Sequence, residues 1–241
     1  MNTRKTEKMT NSRLFNKGIL PVAVATAMFG AGVASAADFY LTNDATIDNQ
    51  TGGNATTNYI VNANSTLTTN GTMSVYYGTI DGTSGTDAGG TVTIGGNLTI
   101  HGNIGATNAT SNFTISEWNS LTLASNVSTF NSDNMTLSDN TVLNFGNVTS
   151  GYNRGSSETL TFASNITMGS NSTINVGGGT TLNGNIYGAG TLNVLGNFTS
   201  TGSIGAAQVD GADFITSGLE QINISKGNTF TLNNNATATR M

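Results

Sequence analysis

Cysteine is absent from the 241 residues, histidine, tryptophan and proline occur once each, and only 9% of the chain is charged. Without cysteine there is no disulfide framework and no thiolate site for zinc or an iron–sulfur cluster. An ordinary soluble domain is about a quarter charged and about 5% proline, so the usual means of solvating helices and punctuating loops is missing. Polarity comes instead from asparagine, threonine and serine, alongside 31 glycines. The length allows one domain, or one elongated array, with a sizeable core.

The few basic residues are unevenly placed. Arg4, Lys5, Lys8, Arg13 and Lys17 all precede an apolar stretch from Gly18 to Val33 that closes in Ala34-Ser35-Ala36. This is the layout of a secretory signal peptide, with small residues at Ala34 and Ala36 where a signal peptidase reads them. Cleavage is expected between Ala36 and Ala37, which makes residues 1–36 the signal peptide. A membrane-spanning helix competes, but the stretch falls short of the roughly 20 apolar residues a span needs, and Pro21, Gly30 and Gly32 interrupt it. The mature chain keeps three basic and twelve acidic groups, a net charge of 3 − 12 = −9. Such a surface repels phosphate backbones and anionic lipid, so no nucleic-acid partner is expected. The only proline leaves with the signal peptide.

After residue 37 no helical periodicity appears. Short alternating apolar pairs recur instead: Val92/Ile94, Leu98/Ile100, Phe113/Ile115, Leu121/Leu123, Met135/Leu137, Leu143/Phe145, Leu160/Phe162, Ile166/Met168, Ile174/Val176, Leu192/Val194, Ile222/Ile224 and Phe230/Leu232. Each is a fragment of a strand with one buried face. The pairs follow one another too closely for long hairpins, and Gly, Asn, Ser and Asp fill the gaps. Such spacing predicts an all-β chain built as a parallel β-solenoid, with three short strands per coil and about 20–25 residues per coil. Residues 91–241 carry this pattern most clearly, while 37–90 is less regular and reads as an N-terminal cap or early coils. In such a stack Asn is expected at left-handed corners and in amide ladders, Thr at outward strand positions.

One segment carries a family resemblance. Thr180-Thr181-Leu182-Asn183-Gly184-Asn185-Ile186-Tyr187-Gly188-Ala189-Gly190-Thr191-Leu192-Asn193-Val194 continues through Gly196-Asn197-Phe198-Thr199 to Gly202-Ser203-Ile204-Gly205, and Gly95-Gly96-Asn97-Leu98-Thr99-Ile100-His101-Gly102-Asn103-Ile104-Gly105 repeats its last part. It resembles the repeats of bacterial autotransporter passengers, including the large surface antigens of rickettsia-like alphaproteobacteria. The resemblance implies a right-handed parallel β-helix, exported to the cell surface, the outer membrane or the medium. It implies an adhesin-like or surface-layer role toward receptors or glycans of host or neighbouring cells. That the protein is not an enzyme is expected separately, from the lack of any cluster of acids and bases in the sequence. Autotransporters end in a membrane β-barrel, whereas this chain stops at Arg240-Met241 directly after Phe230-Thr231-Leu232. The expectation is therefore a truncated passenger, prone to self-association, whose membrane attachment would lie in the missing barrel.

Candidate chemistry is sparse, and no catalytic, cofactor-binding or metal residue is assigned. A β-helix polysaccharide lyase or hydrolase is the alternative function, but it needs acids and bases that converge, and only Arg154, Lys226 and Arg240 are basic in the mature chain. Asp210 and Asp213 bracket Gly211-Ala212, read as a coil corner. Asp81 and Asp87 flank a Gly-rich segment without the strict alternation of a calcium repeat, so it reads as an acidic loop. His101 follows Leu98/Ile100 and is expected to face outward at a corner. Trp118, beside Glu117, is expected to pack at the lumen edge rather than to offer a sugar-stacking ring. Asn-x-Thr recurs at Asn97, Asn112, Asn134 and Asn165, where it reads as corner, in, out, in.

Overall fold

The computed structural model describes residues 38–47, 57–71, 73–84, 89–146, 159–206, 209–210, 213–214 and 218–240. The signal-peptide reading, with its cleavage at Ala34, Ala36 and Ala37, lies outside them, as do Asp87 and Arg154. All described residues belong to one unit, Ala34–Met241.

That unit is all-β, a stack of parallel strands wound into a β-solenoid of about eight turns. Each full coil contributes to three sheets. Sheet one begins with Asp38–Leu41, Asn58–Val61 and Ile80–Gly82, passes through a bridge at Ile104, and ends with Thr180–Asn183, Phe198–Ser200 and Phe230–Leu232. Sheet two runs through Ala45–Ile47, Thr66–Thr69, Gly89–Ile94 and Thr110–Ile115. Sheet three runs through Leu98–Ile100, Ser120–Leu123, Val142–Phe145 and, later, Leu219–Ile224. The strands between Asp38 and Gly82 already stand on these ladders. Coil length varies: cross-coil hydrogen bonds join residues 18 apart at Asn193 and Asn175 but 32 apart at Thr229 and Asn197.

Register places like on like inside the stack. Leu67, Val92, Phe113, Met135 and Ile166 succeed one another on sheet two, and Leu98, Leu121, Leu143, Ile174 and Leu192 on sheet three. Every alternating pair from Val92/Ile94 through Leu192/Val194 is buried. Phenylalanine rings fill the middle coils. Phe130 stacks on Phe162 with centroids 4.2 Å apart, Phe162 on Phe145 at 4.6 Å, and Phe113 meets Phe130 edge-on at 5.1 Å. Each such pair is worth about 0.5–1.5 kcal/mol beyond the area it buries.

In three places the expected pattern is redrawn. The strand Leu160–Val176 continues through two corners without a break, because Ser164 and Ser172 point inward and bond nearby carbonyls at Asn165 and Gly169. In the last coil the inward rule fails: Ile224 is exposed and Phe230 and Leu232 are only half-buried. Val209–Asp210 and Asp213–Phe214 pair antiparallel, with Asp210 opposite Asp213, between the strands Ile204–Ala206 of sheet two and Leu219–Ile224 of sheet three, while Gly211-Ala212, read as the corner, lie outside the described residues. Corner glycines are demanded by space rather than by φ alone. A Cβ on Gly102 would collide with the carbonyl of Gly78 one coil earlier.

Among the described residues no helix is long and apolar enough to cross a membrane.

Candidate functional site

The outer surface is built from what alternation leaves facing outward. On sheet three those residues form a closed amide ladder. Asn144 donates Nδ2 to Thr122 Oγ1 at 3.1 Å, and Asn175 donates to Asn144, Asn193 to Asn175 and Asn223 to Asn193, each at 2.8 Å. Asparagine ladders were expected at corners, but this one stands on a strand, where the in-register spacing lets each amide reach the next. Corner asparagines have a different task. Asn97, Asn103, Asn185 and Asn197 accept backbone N–H groups of the following coil, at Ser120, Ser128, Ser203 and Thr229. Asp44, Asp81 and Asp139 do the same for Thr66, Thr107 and Ser170. Asp81 thus sits on the strand Ile80–Gly82 as a coil-to-coil acceptor, not in a loop.

Sheet two carries the other ladder. Thr68, Thr93, Thr114 and Thr136 occupy one outward register position in successive coils, with Asn112, Asn134 and Asn165 in the file beside them. These sequon asparagines are outward strand residues rather than corners, since Asn112 and Asn134 lie within Thr110–Ile115 and Thr129–Leu137.

Two aromatic features break this uniform surface. Trp118 is 72% exposed, which overturns its expected packing at the lumen edge. It lies at the corner between sheets two and three with φ 65°, in the column where Asn140 and Asn171 have φ 58° and 56°. Asparagine tolerates the left-handed region through its short polar side chain, whereas a bulky residue there is strained. Sequence gave no sign of this, because the corner's conformation is imposed by the coils stacked on it. His101 is at a corner as expected. Its ring stacks on the exposed Tyr77 with centroids 4.6 Å apart, and its Nδ1 lies 3.2 Å from Asn126 Oδ1. Asn126 returns a bond to the His101 carbonyl at 2.6 Å.

Among the described residues these features do not converge with acids and bases into one cluster. Glu117 flanks Trp118, Lys226 is exposed on a turn in the last coil, and Arg240 ends the strand Ala238–Arg240. No group of three metal-capable side chains occurs among the described residues. Burial raises the pKa of Tyr76 well above 10.0, with smaller contributions from Tyr59 and Asp81, and raises that of Tyr59 as well. The Tyr76 hydroxyl donates to the Thr57 carbonyl at 2.6 Å, and that bond ties it into the stack.

The chain matches no protein-family model, no curated protein and no solved structure. Function therefore rests on the surface just described.

Proposed function

We propose that the protein works outside the cell or on its surface, as the structural or adhesive passenger of a Gram-negative autotransporter. One observation carries this reading: a parallel solenoid of about eight turns whose outward strand positions repeat uncharged threonine and asparagine from coil to coil. A repeated outer face offers many equivalent weak contacts, which suits attachment to a surface better than turnover of a substrate in a cleft. Exposed rings at Trp118 and at Tyr77 with His101 supply the contacts most able to take a receptor or glycan. Export follows from the signal-like residues 1–36.

The full chain, expressed in a Gram-negative host, should yield an exported species beginning at Ala37. Beads coated with it should adhere to epithelial or bacterial cells more than uncoated beads do, and Trp118→Ala should reduce that adhesion. Equal adhesion of coated and bare beads, together with release of sugars from a polysaccharide panel, would replace this reading with the lyase or hydrolase.

A further inference from the structure

The two polar ladders differ in whether their hydrogen bonds are already used. On sheet three the amides of Asn144, Asn175, Asn193 and Asn223 bond one another, so that face is satisfied from within. Sheet two is open over its middle coils, while at its far end Asn165 Oδ1 accepts from the backbone N–H and the side-chain amide of Asn185. Thr46, Thr68, Thr93, Thr114, Thr136 and Thr167 hold one outward position through six coils. Two residues earlier, Thr66, Thr91, Asn112, Asn134 and Asn165 make a second file. No hydrogen bond within the chain engages the side chains of Thr68, Thr93, Thr114 or Thr136. No register shift interrupts the face between residues 66–69 and 165–168.

The outcome is a two-dimensional grid. Rungs repeat about every 4.8 Å along the axis, and the two files stand about 6.7 Å apart, two residues along each strand. Threonine is stiff at χ1, so each hydroxyl and methyl is held in place before any ligand arrives. From Thr66 to Asn165 the two files bear no charge, with Asp44 standing at the head of the second file beside Thr46 and Asp133 directly before Asn134, and their first ring is Tyr187, one coil past Thr167. Glycan surfaces are gripped by aromatic platforms, and protein partners by large anchors such as Trp, Tyr and Arg. A face with neither, presenting open hydroxyls at Thr68, Thr93, Thr114 and Thr136 with methyls at a fixed spacing in two directions, matches a ligand that is itself a lattice of small hydrogen-bonding units. Ordered water is such a ligand, and the oxygen repeats on a prism face of ice are close to both spacings of this grid.

We propose that the outward face of sheet two binds ice. Hydroxyls would join the water lattice while the methyl groups between them order the intervening waters, so that the protein is held on a growing crystal. No bond is made or broken.

The full chain can be tested by freezing an ice hemisphere slowly from dilute solution and comparing protein in the ice with protein left in the liquid. The wild type should enter the ice and facet single crystals in undercooled water. Thr93→Tyr and Thr114→Lys should each cut partition by about tenfold, equivalent to roughly 1.4 kcal/mol. Thr181→Tyr, at an outward position of sheet one, should leave it unchanged. Far-UV spectra would verify that each variant is folded. Exclusion of folded wild type from ice, equal loss on Thr181→Tyr, or Thr114-dependent retention on crystalline cellulose without entry into ice would overturn the proposal.

Discussion

Trp118 holds a left-handed conformation that its bulk opposes and exposes 72% of its surface. A strained backbone of this kind costs about 1–3 kcal/mol. Asparagine fills the same column at Asn140 and Asn171, so Trp118→Asn should raise the free energy of unfolding by about 1 kcal/mol, read from the urea midpoint. Trp118→Ala keeps a Cβ at positive φ and should gain less. Tyr76 is the opposite case, a polar residue made inert by burial. Its hydroxyl is shared between the carbonyls of Thr57 and Thr79 at 2.6 and 3.1 Å, and Tyr76→Phe should cost about 1–2 kcal/mol. Its folded pKa lies above the ordinary 10.0. The stabilisation is therefore complete below about pH 10 and lost as pH rises through the folded value, because the unfolded chain gives up its proton first. Unfolding free energy should fall in strongly alkaline buffer, and Tyr76→Phe should flatten that fall in part, leaving the contribution of Tyr59. Among the described residues three buried hydroxyls, of Ser65, Thr69 and Thr110, have no hydrogen-bond partner. Ser132, which stands in register with Thr110 one coil later, does have one, the Asn134 carbonyl at 2.9 Å.

Strand elements show where alternation is a sufficient guide. Leu121 and Leu123, or Ile174 and Val176, declare their inward face by period alone, because a strand in a closed coil has only an inside and an outside. Alternation did not reveal the unbroken strand Leu160–Val176, whose corners carry small inward serines, with Gly169 and the left-handed Asn171 at the second. Nor did it reveal the exposure of Ile224, which depends on what lies over the last coil. Phe162 stands between Phe130 and Phe145, so Phe162→Ala removes two ring stacks and leaves a cavity. A loss of about 3–5 kcal/mol is expected, measured by chemical denaturation. Asn175 both donates to Asn144 and accepts from Asn193. Asn175→Ala should cost about 1–3 kcal/mol, and replacing Thr173 beside it should cost far less.

Taken whole, the solenoid is a one-dimensional stack in which each coil touches its neighbours, and stability is then a sum over coils and the contacts between them. Hydrogen exchange should be slowest on the strands around Phe113, Phe130 and Phe162 and fastest in 219–240, where Phe230 and Leu232 are half-buried. Uniform protection from one end to the other would contradict that gradient. Composition and period were enough to determine an all-β solenoid with Val, Ile, Leu and Phe inside and Thr and Asn outside, because both follow from local alternation and from the lack of proline and charge. What only the tertiary structure decided is which outward residues meet. Coil lengths differ, from 18 residues between Asn175 and Asn193 to 32 between Asn197 and Thr229. No fixed repeat could therefore show that asparagines would close a ladder on one sheet, that threonines would stand open in register on another, or that Trp118 would occupy a left-handed corner. Those outcomes depend on register between distant coils, which is set by packing in the lumen and not by any residue's neighbours in the chain.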